Sequence, residues 1–170
     1  MTPARDHHAT IFVAPEPAAP IEAVRQQWDP VMAGQVAAHV TLAYPQEAPA
    51  VDLLEARLRA AARMHQPFRL ALGGIACFER PEAGVYVEVH DLEGGLRALR
   101  DAVLAPPFHP EKLEPHVTLI HPRTSSRGRE FWDTRAGAPA MAGEFMVTEL
   151  AITAFDGARW IAVARFPLGR

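Results

Sequence analysis

The chain has 170 residues, 49% of them hydrophobic and 22% charged, and 17 Lys and Arg against 20 Asp and Glu leave a net charge of −3 with His neutral. That length supports one globular domain burying roughly 70% of its unfolded surface. The charge balance excludes a broad cationic face for long nucleic acid, which needs many phosphate neutralisations, but leaves room for a small phosphorylated ligand in one local pocket. A lone cysteine, Cys77, excludes an internal disulfide and a Cys-based zinc finger and reads as a small buried hydrophobe. No apolar run approaches the roughly 20 residues that cross a bilayer, and Met1 to His8 is polar. The expectation is a soluble, cytoplasmic protein.

Thr10 to Ala14 is a β-branched, apolar run stopped by Pro15 and Pro17, which predicts a buried strand. Pro20 opens a helix to Trp28, with Ile21, Val24 and Trp28 at helical spacing. Ala38 to Tyr44 returns to a strand pattern and ends at Pro45. Val51 to His65 is an amphipathic helix, with Leu54, Leu58, Ala61 and Ala62 on one face and Arg57, Arg59 and Arg63 facing water. Phe68 to Phe78 and Gly84 to His90 read as a hairpin of two strands. Gly94 and Gly95 introduce a helix through Leu104, and Pro106, Pro107 and Pro110 force a connection. Pro115 to His121 is a strand, Arg123 to Arg129 a polar loop, and Phe131 to Thr134 a short helix. Glu144 to Phe155 and Arg159 to Phe166 read as strands around the Asp156-Gly157 turn. Strands alternating with helices indicate an α+β or α/β domain with mixed sheets.

One internal repeat stands out. His39-Val40-Thr41-Leu42-Ala43-Tyr44-Pro45 recurs as His116-Val117-Thr118-Leu119-Ile120-His121-Pro122, matching at five of seven positions 77 residues later. A spacing close to half the chain points to a duplicated lobe with pseudo-twofold symmetry. Alternate side chains of a strand share a face, so His39 and Thr41 point one way while Val40 and Leu42 point the other, and the second copy repeats this.

Two such faces across a groove bring two imidazoles and two hydroxyls to one small volume. That set suits phosphoryl transfer without a metal. A neutral imidazole takes a proton from the attacking oxygen, an imidazolium gives one to the leaving oxygen, and the hydroxyls hold the non-bridging oxygens. Two other readings of the same cleft stay open at this point: a non-catalytic nucleotide or RNA-end binding module, and metal-dependent hydrolysis using His39, His116, His121 and an acid. Tyr44 and His121 occupy equivalent places in the two copies. A regular strand would point both away from the pair, whereas a bend at the following proline would turn Tyr44 towards a nucleobase and His121 towards phosphate. Phe78, Tyr86 and Trp132 read as core residues.

The paired His-x-Thr-hydrophobic motifs, one in each half of a short chain, resemble those of the 2H phosphoesterase superfamily, which includes 2′-5′ RNA ligases and RNA 2′,3′-cyclic phosphodiesterases. The order of elements from residue 10 to 122 resembles that family too. The resemblance implies an α+β, bilobal, duplicated fold spanning residues 1–170 as one domain, with two antiparallel sheets lining a central cleft and helices outside. It implies hydrolysis of a 2′,3′-cyclic or 2′-5′ phosphodiester on an RNA terminus or small nucleotide, with reverse 2′-5′ joining in some members. His39 and His116 match the catalytic histidines, and Thr41 and Thr118 match the phosphate-binding threonines. No cofactor, metal, membrane or obligatory protein partner is implied, and a monomer is expected. Many RNA-ligase-like members carry an Arg shortly after the second threonine, where this chain has Ile120 and His121. Arg123, Arg127 and Arg129, or Lys112 upstream, are the candidates to supply that charge.

Overall fold

The computed structural model of the chain describes residues 7–112, 114–135, 138 and 140–169. In chain order the elements are β1 (His7–Phe12), α1 (Pro15–Trp28), α2 (Pro30–Gln35), β2 (His39–Ala43), α3 (Val51–Met64), β3 (Phe68–Cys77), β4 (Val85–Asp91), α4 (Gly95–Val103), β5 (His116–Ile120), α5 (Gly128–Thr134), β6 (Gly143–Val147), β7 (Glu149–Phe155) and β8 (Trp160–Pro167). The strands form two four-stranded sheets with orders β2-β1-β7-β8 and β5-β4-β3-β6. Every neighbouring pair is antiparallel. This is the α+β architecture with antiparallel sheets that the family resemblance implied, and not the mixed sheets that the alternation of strands and helices suggested, because that alternation does not record strand direction.

The duplication is visible in the topology. In the first sheet β1 joins its antiparallel neighbour β2 through α1 and α2; in the second β4 joins β5 through α4. Each motif strand is therefore the edge of its sheet, and the two edges touch. Helix α1 packs against β5 and β6, strands of the opposite sheet, while α3 packs against β7, β8 and α4. One continuous apolar core results, including Ile21, Leu58, Leu70, Leu99 and Leu150. Each of these five side chains is buried, at about 1.5–3 kcal/mol of transfer free energy apiece.

The structure moves several element bounds from the sequence expectation, β1 to His7–Phe12 and the start of α5 to Gly128 among them, and three differences shape the fold. Helix α1 begins at Pro15, five residues before Pro20. The first N–H groups of a helix have no intrahelical acceptor, so Pro15 and Pro17 lose nothing there, and Pro20 forfeits one bond near the start. Helix α2 was not anticipated, although Asp29-Pro30 carries its signal: the Asp29 side chain accepts from Met32 N at 3.1 Å, and Pro30 occupies the first helical position. Glu144 to Phe155 is not one strand. It divides at Thr148, so that β6 joins one sheet and β7 the other. An unbroken apolar pattern does not record that the chain changes partners.

Candidate active site

The motif strands β2 and β5 have the same inside-outside pattern, with both His and both Thr half-buried and the alternate residues in the core. Val40, Leu42, Val117 and Leu119 are at most 1% exposed, which fixes the register, because a slip of one residue would send them to solvent. The opposite face of both strands lines a cavity of about 420 Å³ between the sheets, a size that admits a nucleotide. His39, Thr41, His116 and Thr118 all line it. A more open concavity of about 640 Å³ beside β3, bordered by Leu72, Ile75, Asp133 and Arg135, contains none of them.

Each motif histidine is oriented in the same way. His39 Nδ1 lies 2.8 Å from Ala37 O, and His116 Nδ1 lies 2.9 Å from Glu114 O, in both cases a carbonyl two residues upstream. A carbonyl only accepts, so Nδ1 carries hydrogen on both rings. Each Nε2 is then the ring nitrogen left without hydrogen in the neutral imidazole and able to accept a proton. The rings are also braced by aromatic contacts. Phe12 meets His39 edge-on at 6.4 Å between centroids, and Phe78 and Tyr86 stand 5.4 and 5.1 Å from His116. Gly84, at φ +126°, leaves space that any Cβ would take 3.1 Å from the Phe78 ring, so this glycine keeps Phe78 beside His116.

Burial disfavours the imidazolium and pushes His39 down to about 4; the bond to Ala37 O opposes this, and positive Arg25 with His8 and His116 adds to it. Burial also lowers His116, against the bond to Glu114 O, but no cation contributes there. The two histidines are thus alike in geometry and different in electrostatic surroundings.

Tyr44 and His121 both line the cavity. The strands end at Ala43 and Ile120, so alternation no longer applies to the next residue, and a buried carboxylate captures each of those backbone N–H groups. Tyr44 N donates to Glu47 Oε2 at 3.0 Å, and His121 N donates to Asp29 Oδ2 at 2.9 Å. Both carboxylates are fully buried. Glu47 also accepts from Glu111 N at 2.7 Å and forms a forked pair with Arg100, at 2.5 and 3.2 Å. Arg100 in turn donates to Leu42 O and Glu111 O. Asp29 accepts from Thr124 Oγ1 at 2.7 Å. Upstream of His39, buried Arg25 pairs with Glu22 and donates to Val36 O at 2.8 Å, while Glu22 accepts from Ala38 N.

Of the arginines singled out in the sequence, Arg123 lines the cavity. Arg127 does not. Its guanidinium pairs with Glu130, donates to Gln27 O and lies over the Trp28 ring at 4.1 Å. Arg129 pairs with Glu82. Phe78 is not a core residue: it is 43% exposed and borders the cleft, whereas Trp132 packs on the core. Sequence reasoning missed His8 and Trp160, which stack at 4.3 Å between centroids on the cleft wall, and missed Asp29 and Glu47. No local pattern announces a stack between residues so far apart in the chain. Among the described residues, no three His, Cys, Asp or Glu converge to hold a metal ion, and no helix is long and apolar enough to cross a membrane.

A duplicated pair of sheets presenting two His-x-Thr strands to one cleft defines the two-histidine class of fold. The model of the 2′-5′ RNA ligase superfamily matches residues 13–159, and the chain belongs to that superfamily. Among solved structures it is similar to Escherichia coli LigT complexed with NADP+, at 23% identity and TM-score 0.66 over 98% of this chain and 99% of that one. It is similar to a protein described as a phosphoesterase, at 22% identity and TM-score 0.67 over the same shares of the two chains. E. coli LigT complexed with 3′-AMP gives 21% identity and TM-score 0.65, again over 98% and 99%. No curated protein matches the chain in sequence.

Proposed function

We propose that the protein is a metal-independent phosphoesterase that hydrolyses a 2′,3′-cyclic or 2′-5′ phosphodiester on an RNA end or small nucleotide, with His39 and His116 as the proton-transfer pair and Thr41 and Thr118 holding the phosphate. The observation that carries it is the paired Nδ1 to carbonyl bond, which commits both rings to one tautomer and gives the cleft two Nε2 atoms from opposite sheets. In hydrolysis of the cyclic ester, one Nε2 removes a proton from water as its oxygen bonds to phosphorus. The P–O3′ bond breaks and the other Nε2–H protonates O3′, giving a 2′-phosphate. A 5′-hydroxyl attacking phosphorus in place of water, with the same loss of O3′, joins two ends through a 2′-5′ linkage, and the reverse step, attack by the 3′-hydroxyl with the 5′-oxygen leaving, cleaves it. His39 is the base in the hydrolytic direction, because burial and its cationic neighbours favour its neutral form more than they do for His116. Both histidines come from one chain, which supports a monomeric active unit.

The test is turnover of the four nucleoside 2′,3′-cyclic monophosphates, and of a short RNA with a cyclic end, in the presence of EDTA. Full activity with a 2′-phosphate product is expected; activity lost to EDTA and restored by a divalent ion would sink the mechanism. The pH profile is a separate expectation. Since kcat/KM reports the free enzyme, and both imidazoles sit below their usual 6.5, the singly protonated pair is most populated on the acid side of that value. The optimum of kcat/KM should lie below pH 6.5, and kcat should peak higher, because a bound anionic phosphate raises both groups. A kcat/KM optimum above pH 7.5 contradicts the assignment.

Stability shows the same effect with the sign fixed by linkage. The unfolded chain binds a proton on His39 near 6.5, whereas the folded chain binds it only near 4, so stability is full above 6.5 and declines as pH falls towards 4. Replacing His39 by Gln should flatten that decline in thermal melts between pH 7 and 4.5.

A further inference from the structure

Resting on the phosphoesterase reading, we infer that the cleft selects a singly charged phosphodiester over a doubly charged phosphomonoester, and that Tyr44 and His121 set this selectivity by presenting neutral donors beside the phosphate position. Three observations support it. First, Arg123 is the only Lys or Arg among the described residues that line the cleft. Arg25 and Arg100, the other cations near the motifs, are used inside the protein on Glu22 and Glu47. Second, Arg123 N donates to His121 Nδ1 at 3.1 Å. An accepting Nδ1 places the ring hydrogen on Nε2, the tautomer opposite to that of His39 and His116, so neutral His121 is a donor and not a base. Its charged neighbours are Arg123 and Asp29, and burial together with Arg123 keeps it neutral against Asp29. Third, Tyr44 takes the equivalent place in the other sheet and lines the cleft, and burial raises its phenol against the opposing influence of Thr41, so it too remains a neutral donor.

Neutral donors bond to a phosphate oxygen whatever its charge. Desolvation does not treat the two ligands alike, because its cost grows with the square of the charge and needs a fixed counter-charge to offset it. Hydrolysis converts a monoanionic diester into a monoester that is largely dianionic above about pH 6. The site therefore holds its substrate and releases its product.

The experiment uses 3′-deoxyadenosine 2′-phosphate and its methyl ester, which share a shape, differ by one charge and cannot cyclise. Binding of each to the wild-type protein is measured by calorimetry at pH 7.5, beside His121→Arg and His121→Gln, with melts to confirm folding. The methyl ester should bind wild type more tightly. His121→Arg should strengthen the monoester relative to the methyl ester by about tenfold or more, as expected for a charge-assisted bond, and His121→Gln should keep the wild-type order. The inference is overturned if wild type prefers the monoester, or if a folded His121→Arg protein shifts both ligands equally. Should that variant not fold, the wild-type preference decides alone. Turnover of 2′,3′-cyclic AMP is followed in parallel. Its absence defeats the phosphoesterase reading, while the affinity ratio still decides the charge selectivity.

Discussion

Alanine in place of either His39 or His116 lowers kcat/KM for a 2′,3′-cyclic phosphate by about 10²–10⁴-fold, the range for losing a positioned proton donor or acceptor. Neither ring holds up the fold. Each is half-buried, and its ring is bonded to a carbonyl of its own strand's approach, so melts should change little at neutral pH. The double variant should cost scarcely more than the worse single one, because two groups that act in one proton relay are not additive. The two single variants separate on a substrate with a nitrophenyl leaving group. Such an oxygen leaves without a proton, so the variant lacking the acid recovers much of its rate and the one lacking the base does not. Recovery by His116→Ala and not by His39→Ala supports the assignment, and the opposite pattern reverses it. Near wild-type turnover in both variants removes the mechanism.

The parts of this site that the sequence declared are those governed by local periodicity. Alternation along His39-Val40-Thr41-Leu42 places imidazole and hydroxyl on one face, and the second copy at His116 repeats it, so the structure had only to bring the two edges together. Helix α3 was legible for the same reason, its buried stripe recurring at helical spacing, and α4 from the Gly94-Gly95 pair that introduces it and the prolines that follow. What periodicity does not carry is which strand neighbours which. The division of Glu144 to Phe155 between two sheets depends on partners that a linear pattern does not name. Tyr44 and His121 show the point at the scale of one bond. An odd offset turned them away from the pair, yet the strand ends one residue earlier and a carboxylate from elsewhere seizes the backbone N–H. For Tyr44 that carboxylate is three residues on; for His121 it is Asp29, in the other half of the chain. The repeat in sequence is thus served by supports that do not repeat in sequence, and Arg127, which looked available, is committed to Glu130 and Trp28.

Those supports make the second large prediction. Arg100→Met should lower stability by about 3–5 kcal/mol, the cost of leaving one buried charge without its partner. Glu47 is fully buried while Arg100 is 16% exposed, and the fork between them ties Leu42 O and Tyr44 N, at the end of the first motif, to Glu111, on the approach to the second. Arg59→Met is the control. Its partner Glu55 lies at 2.6 Å, but both side chains are well exposed, and surface pairs of this kind contribute about 0–1 kcal/mol. Equal losses in denaturant titrations of the two variants would refute the claim. A buried ion pair is often replaced by apolar residues at no cost, yet a double Arg100→Met, Glu47→Leu change should not recover stability here. Leucine would strand the N–H groups of Tyr44 and Glu111 away from water, and each orphaned donor costs about 1–3 kcal/mol. Glu47→Gln paired with Arg100→Met keeps an acceptor for one of them and should recover part of the loss. Activity should follow the same order, since the backbone that Glu47 holds is what turns Tyr44 into the cleft.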